Sequence, residues 1–418
     1  MERKLILYAL PIFAIAVLVD FLIDTINKTN RYRISDAITS LSAGFLGTAV
    51  GLLTIGFVGF FYNGLFSWYH IFTITDSIWF WVLTAFIYDF LYYWMHRAHH
   101  RINILWALHA THHNSEYFNF TTALRQCSFG FIFTWLFFLP MAFLGFTYEQ
   151  FLFGAGLSTL YGFFTHTEYV KYVPYIERIL IGPSSHRVHH GTNARYLDKN
   201  YGSILSIWDH FFGTYAFETR EELVHFGTIT PIKSFNPLWI NLSPSWLLFK
   251  DAFLCKSWRD KFIVWVKHTG WRPTDLAPLC VTQKNGQATQ AYEKFDQPIP
   301  PRELSYVILN FLLAAASTTH LMISSKYHST PLTTIFIAML LLLLLSNSFF
   351  LEQKKFRFHF EVMRLFATSA LAFIAYEIGV TLIDQYFLQI LCVISLIEVA
   401  LCINFYLLVT AYIKKLTR

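Results

Sequence analysis

The chain has 418 residues, of which 55% are hydrophobic, 19% aromatic and only 14% charged, with a formal net charge of +6 and a mean hydropathy of +0.42. That balance excludes an ordinary soluble domain and a disordered chain, and points to an all-α polytopic membrane protein. The basic residues are spread over loops rather than gathered on one aromatic-interleaved face, so nucleic acid is excluded as a partner.

The first apolar run, residues 5–23, follows Met-Glu-Arg-Lys and is too long for the core of a signal peptide, so it reads as a retained span. Further runs of spanning length lie at 42–65 and 76–95, and 128–167 has room for two spans joined by the turn GFTYEQ. A polar, Pro- and Gln-bearing linker around residue 300 precedes four more, at 304–322, 332–350, 362–382 and 386–412. The expected organisation is an N-terminal transmembrane unit (1–167), a cytoplasmic helical cap (168–303) and a C-terminal four-span unit (304–418).

Loop charge orients these nine predicted spans. Lys28, Arg31 and Arg33 share one loop, Arg97, Arg101 and Arg125 another, and 351–364 is basic again, whereas the loop FSWYHIFTITDS and the turn near residue 145 lack Lys and Arg. The histidine motifs therefore face the cytoplasm, with Arg3 and Lys4 on the opposite side.

Those motifs are HRAHHRINILWALHATHH at 96–113 and SSHRVHH at 184–190. His96 and His100 are one helical turn apart, as are His109, His112 and His113, and the third group repeats that spacing with His186, His189 and His190. Nine residues separate His100 from His109, so a straight helix would aim the two groups apart; the chain must bend at Arg101 to Asn103 for both to serve one site. Spacing does not choose between His99 and His100.

Eight or nine imidazoles exceed the needs of one ion and suit two with four or five each. The five cysteines, Cys127, Cys255, Cys280, Cys392 and Cys402, have no paired spacing, so any metal is held by nitrogen and oxygen. Imidazole serves iron, copper and zinc alike. Asp89, Asp198, Asp209 and Glu168 are candidate carboxylates for orienting the rings from behind. His70, His210, His225, His268, His328 and His359 stand alone and read as surface or packing residues; His320, Glu377 and Glu398 are polar exceptions within apolar spans and read as interhelical or interfacial.

Together the motifs resemble the fatty acid hydroxylase and sterol desaturase superfamily of membrane di-iron oxygenases. "YDFLYYWMHRAHH", "THHNSEYFNFTTALRQ", "FFTHTEYV", "SSHRVHHGTN" and "DKNYGSILSIWDHFFGTY" are similar to the alkylglycerol monooxygenase branch over roughly residues 35–240. The resemblance implies two iron ions held by His96, His100, His109, His112, His113, His186, His189 and His190, adds His166 as a ninth ligand, and leaves out His99. It further implies an enzyme that hydroxylates a lipid C–H with O2, at the carbon next to the ether bond of alkylglycerols. The electrons come from an external donor: tetrahydrobiopterin in this branch, a cytochrome or ferredoxin elsewhere in the superfamily. A fatty acid, sterol or other lipid hydroxylase or desaturase is the alternative with the same site. The membrane would be the endoplasmic reticulum in a eukaryote and the inner membrane in a bacterium. One departure stands at Arg101, where the branch carries Glu; it bears on pterin use and substrate, not on the ligands. A metal transporter fits poorly, because every motif flanks a span instead of interrupting one.

Overall fold

A computed structural model describes residues 2–74, 77–276, 294–391 and 393–394. Among them no strand forms, and the only β pairings are two isolated antiparallel bridges, Leu180 with Leu205 and Gly191 with Phe226. The chain forms two compact units, 1–296 and 297–418.

The first unit opens with α1 (Glu2–Asn27) and α2 (Ile34–Trp68), followed by α3 (Ile78–Arg101). Tyr8, Ile12, Ile15, Leu22 and Ile26 form an exposed apolar stripe along α1, the pattern of a helix that faces lipid. Its other face stacks Phe13 on Phe163 at 4.0 Å. Short helices α4 (Asn103–Ala107), α5 (Ala110–His113) and α6 (Phe120–Ala123) then carry the chain around the end of α3.

The predicted pair of spans in 128–167 is not formed. Residues 130–138 make two 3-10 turns, Gly130–Ile132 and Thr134–Phe138, and α7 (Leu139–Leu144) adds six residues. The segment is apolar because Phe138, Met141 and Phe146 pack into protein, against Tyr62, Tyr88 and Phe151. Gly145, at φ +102°, ends α7. A capping box then starts α8 (Tyr148–Phe164), Thr147 Oγ1 accepting from the Gln150 amide and Gln150 Oε1 from the Thr147 amide. At 17 residues this helix is about 25 Å long, short of a hydrocarbon core of about 30 Å. It lies against α3, where a Cβ on Gly154 would stand 2.6 Å from the ring of Tyr88. Gly154→Ala should therefore cost roughly 1–3 kcal/mol through overpacking, read as a lower thermal midpoint in detergent; an unchanged midpoint would show that the contact yields freely.

Beyond α8 come α9 (Pro183–His189), α10 (Ile207–Phe211), α11 (Pro237–Leu254) and α12 (Trp258–Ile263). The second unit holds α13 (Pro301–Ser324), α14 (Thr330–Leu351) and α15 (Arg357–Ile378), with residues 382–391 helical as well. Glu361 and Arg364 pair within its core, and Tyr306 and Ser346 donate to the same carboxylate. Glu377 is exposed; Glu398 lies outside the described residues.

Among the described residues six helices are long and apolar enough to cross a bilayer: α1, α2, α3, α13, α14 and α15. The chain is an integral membrane protein. The two spans expected in 128–167 are absent because 128–164 breaks into short elements, and most of the ninth, 386–412, lies outside the described residues.

Candidate metal centre

His96, His99 and His100 occupy the last turn and a half of α3. The predicted bend follows at once. Ile102 is extended (φ −125°, ψ 125°) and ends the helix. Asn103 clamps the break, its amide nitrogen donating to Val264 O (2.9 Å) and Trp271 O (3.0 Å) while its oxygen accepts from the Gly270 amide (3.0 Å). The chain turns back through α4, so that His109, at the N-cap of α5, and His113 face the end of α3, while His112 turns toward His166 and His190.

His166 follows α8 directly. The third group sits on α9, which begins with Pro183 at its first turn. Fully buried Glu177 anchors that turn, accepting from the Ser185 amide (3.0 Å), Ser184 Oγ (3.1 Å) and the Val173 amide (3.1 Å). Gly182 is required beside it, since a Cβ there would lie 2.4 Å from the Glu177 carboxyl carbon. Nothing in the spacing of the sequence singles out Glu177.

The nine histidines divide into two sets. His96, His100, His109, His113 and His189 form one, and His112, His166, His186 and His190 the other; in each, one ligand atom per residue lies within 4.8 Å of all the rest. Adjacent residues on a helix point about 100° apart, so His112 and His113 divide between the sets, as do His189 and His190. The sets adjoin, with His113 stacked on His190 at 4.3 Å between ring centroids.

Both sets have the chemistry of metal sites. Nε2 atoms meet at 3.1 Å for His96 and His109, 3.2 Å for His109 and His113, and 3.1 Å for His166 and His186. Two nitrogens bound to one ion at about 2.1 Å stand roughly 3.0–3.4 Å apart at right or tetrahedral angles. His100 Nε2, His189 Nε2 and His190 Nε2 are buried without hydrogen-bond partners, a costly state for imidazoles unless an ion takes their lone pairs. Burial and the neighbouring rings hold His109, His113, His166, His186 and His190 well below the usual histidine range. Burial likewise takes His112 to about 4 and His189 to about 3. All seven are neutral at neutral pH, the form that binds metal.

The family profile described as fatty acid hydroxylase matches residues 81–214, which contain every one of these histidines. The alkylglycerol monooxygenase of Xenopus tropicalis is 34% identical over 302 residues, 72% of this chain and 67% of that protein. The Danio rerio protein of that name is 33% identical over 317 residues, 74% of this chain and 69% of that protein. The Homo sapiens one is 32% identical over 269 residues, 63% and 59%. The chain belongs to the alkylglycerol monooxygenase group of the fatty acid hydroxylase superfamily. It is a lipid oxidoreductase of the monooxygenase type. No solved structure gives a significant match.

In this member of the group four of the nine rings are oriented by backbone carbonyls, where carboxylates were expected. The Nδ1 atoms of His96, His112, His166 and His189 lie 2.9, 3.0, 2.7 and 3.0 Å from the carbonyls of Tyr201, Arg125, Gly162 and Lys199. Asp89 accepts instead from the amides of Ile204 and Leu205 and from Trp208 Nε1. Asp209 accepts from the Tyr201 and Gly202 amides and Thr214 Oγ1, and so fixes the residue whose carbonyl holds His96. Asp198 pairs with Arg101 at 2.8 Å and Glu168 approaches Arg31 at 4.0 Å. The carboxylates shape the loops, and the loops present carbonyls; sequence spacing carries no signal for a carbonyl.

His99 stands apart from both sets. Its Nδ1 lies 2.8 Å from Met95 O and its Nε2 3.4 Å from Thr134 Oγ1. Arg101 is exposed, with its guanidinium on Asp198.

Proposed function

We propose that this protein cleaves ether lipids, hydroxylating the carbon next to the ether oxygen of an alkylglycerol with O2. The hemiacetal so formed collapses to a fatty aldehyde and a glycerol derivative. One oxygen atom enters the lipid and the other leaves as water, which requires two electrons and two protons from an external donor. Tetrahydrobiopterin fits this role by analogy with the relatives, and a cytochrome or ferredoxin is the other class of donor. The single observation carrying the reading is the pair of adjoining all-imidazole sets at the end of a membrane-spanning helix.

Two iron ions, when bound, supply the activation of O2. The five residues His96, His100, His109, His113 and His189 hold one, and His112, His166, His186 and His190 the other. The protein's own part is to keep these rings neutral, aimed and dry, and to bring the lipid to them. A groove of about 440 Å³, walled by Ile12, Ile15, Val19 and Ile23 of α1 with Phe120 and Val170, suits an alkyl chain. Thr167, next to His166, lies on its wall. The basic loops support a cytoplasmic orientation of the histidine motifs, at the endoplasmic reticulum in a eukaryote or the inner membrane in a bacterium.

The test is lipid analysis of cells with and without the gene, supplied with alkylglycerols, together with the purified protein given O2 and a reduced pterin. Loss of the ether lipid with release of fatty aldehyde is expected. Intact ether lipids beside newly hydroxylated acyl chains or sterols would replace this substrate with the other lipid classes.

A further inference from the structure

A third cluster lies in the second unit, outside the matched domain. His320, one turn before the end of α13, His328, in the connection to α14, and Asp384, at the start of the helix over 382–391, bring their ligand atoms within 4.8 Å of one another. His328 therefore does not stand alone, as its sequence context suggests. Asp384 Oδ1 is 2.9 Å from His320 Nε2 and 3.0 Å from His328 Nε2, and the three side chains are 0–7% exposed.

Helix capping does not account for the arrangement, and hydrogen bonding accounts for only one of the two rings. Asp384 serves a capping box through Oδ2 alone, which accepts from the Thr381 amide (2.8 Å) and Thr381 Oγ1 (2.6 Å). Oδ1 is surplus to that role, and it is the oxygen turned toward both rings. His328 Nε2 hydrogen-bonds to Oδ1 at 3.0 Å, whereas His320 Nε2, just as close to that oxygen, makes no aligned hydrogen bond and is buried without a partner. Aromatic walls fix both rings: Phe387 stacks on His320 at 4.0 Å and Phe336 on His328 at 5.3 Å. Two imidazole nitrogens about 3 Å from one carboxylate oxygen match the spacing of ligands around one ion bound at about 2.0–2.1 Å. Two nitrogens, one oxygen and no thiolate suit a divalent ion of the zinc type.

We propose that His320, His328 and Asp384 bind a zinc-class divalent cation, separate from the nine-histidine centre. The ion ties the end of α13, the following connection and the helix over 382–391 together at one end of the unit.

The full-length protein, with its iron in place, is dialysed against micromolar Zn2+ while both metals are quantified. The wild type is expected to take up about one further equivalent of Zn2+ per chain with its iron content unchanged. Asp384→Asn, nearly isosteric, and His328→Ala are expected to take up none. No uptake by the wild type overturns the proposal without recourse to any variant, and so does equal uptake by wild type and both variants.

Discussion

Purified His109→Ala and His189→Ala proteins are expected to carry less metal per chain than the wild type, for which two ions are proposed, and to lose turnover by on the order of 10³-fold or more. His109 is the hub of its set, with Nε2 3.1 Å from that of His96 and 3.2 Å from that of His113. His189 offers a buried Nε2 that no protein group satisfies. Removing a ligand should weaken binding by more than the roughly 10–100-fold that follows loss of a group behind one. The control is His99→Ala. It belongs to the same sequence motif, yet its ring is turned to Met95 and Thr134, so its metal content should match the wild type. Two ions retained in both His109→Ala and His189→Ala would end the assignment.

The largest stability effect is expected for Arg125→Met. Arg125 and Asp36 form a buried ion pair at 2.7 Å, with side chains 3% and 10% exposed. The guanidinium also donates to Ser40 Oγ and Asn114 Oδ1, and Ser115 Oγ donates to the same aspartate. This network ties the first turn of α2 to the segment that follows His113, and the Arg125 carbonyl faces His112. Methionine would leave the Asp36 charge buried and uncompensated, a loss of about 3–5 kcal/mol. The thermal midpoint in detergent should fall sharply, and Arg125→Met with Asp36→Asn should recover part of the loss, since the stranded charge is gone. An unchanged midpoint in the single variant would mean that solvent reaches the carboxylate.

Much of this was legible from residue spacing. The period of 3.6 placed His96 with His100 and His109 with His113, and the nine-residue gap demanded the bend that Ile102 and Asn103 provide. Apolar run length marked the spanning helices wherever a run was also one helix. It failed over 128–164, because apolar character records removal from water and does not distinguish lipid from protein as the destination; there Phe138 and Met141 pack on Tyr62 and Tyr88.

Alone, the sequence determined a membrane protein with enough histidines for two ions and no thiolate to compete, since composition and periodicity are properties of the chain read in order. The tertiary structure decided which imidazole joins which set, dividing His112 from His113 and His189 from His190. It also decided that Tyr201, Arg125, Gly162 and Lys199 orient the rings through their carbonyls, and that His320 and His328 meet Asp384. The reason is common to all three: each depends on groups brought together from distant parts of the chain, and a backbone carbonyl is the same at every residue until folding points it somewhere.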